Sequence, residues 1–140
     1  MESIIEGYGY RLELGDWPLV VVRYPAHPPD PVTGYRWLFE RYAELCARGT
    51  GIAWLVDFAL ANPLAVSARH RKATGRVFAE HEATLRAATL CEARVVRGPF
   101  ARGVLTSFDA MTRAGWPRAN FATEPAARRW IAEQSARRQR

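Results

Sequence analysis

An α/β domain with one mixed, mostly parallel sheet of five strands and four flanking helices is the fold class that this sequence predicts. Three observations predict it. Strand-sized apolar runs alternate with helix-period stripes along the chain. The nearly continuous apolar run Ile52–Asp57 fits a strand covered by helices on both faces better than one with a wet face. A chain of 140 residues with an apolar fraction of 49% supports one core and not two.

The first strand is expected within residues 8–14, where tyrosine and leucine alternate with small or charged residues. Gly15-Asp16 reads as a tight turn, and Leu19–Tyr24 as the return strand of a hairpin, with Pro18 before the strand, where its missing donor does least harm. Four prolines in residues 25–31 exclude a regular helix or central strand there. Asp30 and Pro31 suit an N-cap and first helical position, and Val32, Tyr35, Leu38, Phe39, Tyr42, Leu45 and Cys46 give the helix its buried stripe before Gly49.

Past Asp57, the loop Phe58–Val66 contains Asn62-Pro63, and a helix is expected from about Ser67 to Ala87 with Phe78, His81 and Leu85 on one side. A strand over Cys91–Val96 stops at Arg97-Gly98-Pro99. Ala101, Val104, Leu105, Phe108 and Met111 mark the next helix, which Gly115-Trp116-Pro117 terminates. Ala119–Ala122 forms a short last strand, and Thr123 caps a final helix through Ala127, Trp130 and Ile131. Strand–helix alternation implies parallel neighbours joined by right-handed crossovers, with the opening hairpin as the antiparallel pair. Residues 1–133 thus form the single domain, and residues 134–140 are expected to be a flexible basic tail that folding does not need.

Composition narrows the function classes. The formal charge of +6 is concentrated at the carboxyl end, where residues 128–140 hold five arginines against Glu133 alone. Nineteen of the twenty basic residues are arginine, a compositional bias that does not make a phosphate-binding surface. Arg69, Lys72 and Arg76 form a short basic helical patch, but no helix-turn-helix or single-strand-binding module accompanies it, so nucleic acid is not an expected partner class. The early segment is interrupted by Glu2, Glu6 and Arg11, unlike an export signal, and the apolar runs are far below membrane-spanning length. A cytoplasmic location is the expectation. Cys46 and Cys91 are too few and too far apart for a staple framework or metal cluster, and both are expected as buried thiols.

Three phrases carry a family resemblance: Trp54-Leu55-Val56-Asp57-Phe58, Val95-Val96 leading into Gly103-Val104-Leu105-Thr106, and Phe121-Ala122-Thr123-Glu124-Pro125 continuing to Ile131. With the element order, they make the chain resemble the small bacterial STAS or SEC14-like domains related to anti-sigma factor antagonists, over roughly residues 8–132. That resemblance implies protein–protein regulation, dimerisation or an apolar ligand. Antagonists of this type switch through a phosphorylated serine after the central strand. Here Asp57 is followed by Phe58-Ala59-Leu60-Ala61, without the Ser-Ser-Gly phrase, and the nearest hydroxyl is Ser67.

In open parallel sheets ligands meet the carboxyl ends of the strands. Asp57, Asn62, Arg97 and Thr123 are therefore the expected ligand- or partner-binding residues. Asp57 has two readings, as an anchor of its own loop or as an acceptor for a partner's donor. Arg97-Gly98-Pro99 precedes a helix amino terminus but lacks a glycine-rich phosphate loop and its lysine. His27 lies in the proline connection, His70 and His81 are eleven residues apart with no acidic residue at a supportive helical ligand spacing, and Ser107 and Asp109 form no catalytic set with a histidine, so neither a metal nor a cofactor nor an enzyme activity is expected. Trp37, beside the stripe of its helix with Arg41, Glu44 and Arg48, and Trp116 at a helix-ending turn are the expected anchors of a symmetric homodimer interface. The sequence reading is a non-catalytic regulatory or scaffolding protein, with a carrier or sensor of an apolar or anionic small molecule as the alternative.

Overall fold

Six strands pair in the order of the chain in the computed structural model, which describes residues 3–61 and 67–139. They are β1 (Ile4–Gly7), β2 (Tyr10–Glu13), β3 (Leu19–Arg23), β4 (Ile52–Asp57), β5 (Thr89–Val95) and β6 (Arg118–Phe121). The helices are α1 (Pro31–Cys46), α2 (Ala68–Ala88), α3 (Pro99–Thr112) and α4 (Glu124–Arg138). The β2–β3 hairpin is antiparallel and β3 through β6 are parallel, as expected.

The expected count of five strands is corrected to six by β1, which pairs with β2 through the two-residue turn Tyr8-Gly9. Both turn residues have positive φ, 51° and 83°, which matches the twist of a two-residue hairpin. Asparagine or glycine normally signals such a turn, and tyrosine in the first position hides it, so residue 8 belongs to the turn and not to the expected strand. Close approach explains Gly7. A Cβ there would collide with the Trp37 ring, so α1 reaches β1 only because the strand ends without a side chain.

Capping follows the sequence signals. Asp30 accepts from the Thr33 N–H at 3.3 Å, Ser67 from His70 at 3.1 Å and Thr123 from Ala126 at 3.4 Å, each satisfying an amide that its helix leaves unpaired. Past Ile131, the last buried residue of α4, the helix continues to Arg138. Residues 134–138 are helical, with Arg137 and Arg138 favourably placed at the negative helix end.

The side taken by each helix follows from handedness. Parallel strands lying in chain order require crossovers that all step the same way, and three right-handed steps put α1, α2 and α3 on one face. Only α4, returning after β6, packs on the other, over β5, β6 and β4. Period-two alternation divides the side chains: Val20, Val22, Trp54 and Val56 join the α1–α2 core, whereas Val21, Leu55, Ala93 and Val95 join the α4 core. Burial of Leu12, Leu38, Leu45 and Leu55 is complete or nearly so, contributing about 2 kcal/mol each by area. Among the described residues no helix is long and apolar enough to cross a membrane.

Candidate ligand cavity

The site begins with two charges in an interior strand. In β5, Cys91, Ala93 and Val95 point at α4, so Glu92 and Arg94 point at the three-helix face. Strand pairing aligns them in two rows across the sheet, Val20–Trp54–Glu92–Arg118 and Val22–Val56–Arg94–Asn120. Arg94 is only 3% exposed. Such a charge survives burial only when paired and hydrogen-bonded.

Its partner comes from α3. Asp109 accepts from Arg94 Nη1 at 2.7 Å and Nη2 at 2.6 Å, and from Arg118 Nη1 at 2.8 Å. Glu92 Oε1 accepts from Arg118 Nε at 3.1 Å and from Trp116 Nε1 at 3.0 Å. The chain Glu92–Arg118–Asp109–Arg94 is thus balanced, two carboxylates against two guanidiniums. Burial opposes the Arg94 charge, but the Asp109 hydrogen bonds and the nearby carboxylates outweigh it and raise the guanidinium pKa.

Above this charged floor lies a cavity of ≈ 190 Å³ at the carboxyl ends of β3 and β4. Tyr10, Tyr24, Tyr35 and Tyr42 line it, the first two from β2 and the end of β3, the others from α1. Tyr24 packs against Tyr10 at 4.9 Å and Phe58 at 4.3 Å between ring centroids, and Tyr42 against Trp54 at 4.5 Å. Pro25, Pro28 and Pro31 of the stiff connection, with Thr74 and Phe78 of α2, complete the wall.

Some polar groups of the lining have no protein partner among the described residues. Among the described residues no hydrogen bond occupies the hydroxyls of these four tyrosines. Arg94 Nε and His70 Nδ1, on two further lining residues, are buried without a hydrogen-bond partner. Unmet buried polar atoms are rare in folded proteins, and two of them, Arg94 Nε and His70 Nδ1, belong to residues of this lining. Burial pushes the Tyr24, Tyr35 and Tyr42 hydroxyls well above their usual range. Glu92 and the neighbouring tyrosines push them further, so all three stay protonated as neutral donors.

No protein-family model matches the chain, and no curated protein or solved structure does. The reading of the site rests on its geometry.

The residues expected to bind do not meet in the cavity. Asp57 points to the α4 side, where it accepts from Arg23 at 2.9 Å and from the Ala59 N–H at 2.8 Å, the loop-anchoring role of its two readings. Thr123 caps α4, Arg97 is exposed beyond β5, and Asn62 lies outside the described residues. Trp116 is corrected from a surface aromatic to a buried one, 9% exposed, with its indole N–H on Glu92. Trp37 is partly buried; its ring covers Gly7 and carries the Arg41 guanidinium 5.4 Å from the centroid, so it has intrachain work. The His81 ring contacts its own helix through the Val77 carbonyl at 2.9 Å. Burial pushes the thiols of Cys46 and Cys91 up to about 11.

Arg23 gathers Glu13, Asp57 and Glu124 on the α4 side. Its hydrogen bond, chiefly, holds the Glu124 carboxyl below the usual range. A pKa lowered by folding contributes stability that is complete above the unfolded value of about 4.3 and is lost as pH falls through the folded value. Glu124→Gln is therefore expected to be less stable than wild type at neutral pH, with the gap closing on acidification below about pH 4 in paired urea titrations. An unchanged gap would exclude this linkage.

Proposed function

We propose that the chain is a small-molecule-binding domain, a carrier or sensor whose cavity between the sheet and α1–α3 holds one compact, mostly apolar molecule. The observation that carries this reading is the set of four lining tyrosines whose hydroxyls have no hydrogen-bond partner among the described residues, in an aromatic-walled space. Size supports it: an engineered apolar cavity of about 150 Å³ takes up benzene, and this one is ≈ 190 Å³. Protein-interface regulation has less support, since Trp116 is buried and Trp37 is spent on β1. The STAS-like assignment is likewise proposed, supported by the strand–helix alternation after the opening hairpin.

Native mass spectrometry of gently purified protein tests the function. A reproducible added mass, released on denaturation, is expected. Val104→Phe, which puts a ring into the α3 wall, should abolish it while keeping the cooperative melt. Absence of any retained mass, together with no melt shift from small aromatic compounds, would remove the proposal.

A further inference from the structure

We infer that the occupant is uncharged and carries one hydroxyl or carbonyl group, received by the tyrosine hydroxyls beside Glu92; this deepens, and rests on, the reading of the cavity as a ligand site. Charge geometry decides against an ion. Arg94 and Arg118 are both committed to Asp109, and Arg118 also to Glu92, at 2.6 to 3.1 Å, so neither sign is left over to neutralise a buried ionic ligand. Arg71, the other arginine in the wall, has interactions of its own. An anion would enter facing Glu92 with only the Arg94 Nε–H left uncommitted, a single donor that one neutral oxygen satisfies equally, and a cation would enter beside two guanidiniums that are nearly buried; either bears a desolvation cost that no free opposite charge offsets.

Hydrogen bonding decides against a pure hydrocarbon. Four phenol hydroxyls without a partner among the described residues form a costly lining for a wholly apolar guest, whereas a single oxygen on the ligand can accept from one and, as a hydroxyl, donate to another. The same Glu92 that helps keep Tyr35 and Tyr42 protonated repels a ligand carboxylate in their place. The aromatic walls leave room for one ring or a compact aliphatic body of similar size.

Four probes with one ring and different side groups separate the possibilities: benzyl alcohol, benzoate, benzylammonium and toluene, each titrated into the full chain and followed by protein-detected NMR. Benzyl alcohol is expected to bind at least about tenfold more tightly than either ion. Tyr35→Phe and Tyr42→Phe keep both rings and remove one hydroxyl each. At least one of them should weaken benzyl alcohol by about five-fold while toluene binding stays unchanged, a split that a general loss of structure would not produce. Benzoate or benzylammonium binding as well as the alcohol would overturn the uncharged assignment and leave the cavity reading standing. Toluene matching the alcohol in wild type and both variants would overturn the polar end. No binding by any probe would overturn both.

Discussion

Replacing Asp109 with alanine is expected to lower the unfolding free energy by about 3 kcal/mol, because it strands a guanidinium that the fold has almost wholly removed from water. Arg94 is 3% exposed and its two terminal nitrogens both rest on Asp109. Arg118 loses a partner in the same step but keeps Glu92 and Thr112. The measurement is equilibrium denaturation at neutral pH. A double replacement, Arg94→Met with Asp109→Leu, should recover much of the loss, since both charges then leave together. A single variant as stable as wild type would mean that α3 does not hold Arg94 in solution.

Trp54→Ala is the second large effect. Trp54 is 3% exposed at the centre of the sheet, stacks near Tyr42 and donates its indole N–H to Thr89 Oγ1 at 2.8 Å. Truncation removes a large buried ring and leaves Thr89 with one fewer partner, for a loss of about 3–5 kcal/mol. Since Trp54 also lines the cavity, its removal should enlarge the space. Toluene added to the variant should therefore recover part of the lost melting temperature, and to a greater degree than it stabilises wild type. Equal shifts would show that the new volume collapses instead.

Much of the scaffold was legible because it is written in short-range signals. Asp30 and Thr123 each cap the helix assigned to them, the helix expected from about Ser67 begins at Ala68 with Ser67 as its cap, and the apolar run Ile52–Asp57 is a two-faced central strand. β1 escaped because its turn uses Tyr8 where a small residue is the usual mark. The cavity was harder to read for a different reason. Tyr35 and Tyr42 satisfy the helical stripe and count as core by period alone; nothing local distinguishes a ring that fills space from one that borders it. One signal was present. Glu92 and Arg94 recur at period two within a strand that helices cover, a pattern a buried strand does not tolerate without a partner network. That network draws on Asp109 and Arg118, remote in sequence, which is why the charges were passed over in favour of strand-end residues such as Asp57.

The single direction in which the crossovers step has a consequence for how the protein can be altered. Because three helices share one side and α4 takes the other, alternate residues of β5 belong to separate compartments: Cys91, Ala93 and Val95 to a dry layer under α4, Glu92 and Arg94 to the cavity. The sheet is a partition wall. Changes at Ala93 or Val95 act on the layer under α4, whereas changes at Glu92 or Arg94 reach both the cavity wall and the ion network that ties α3 to the sheet.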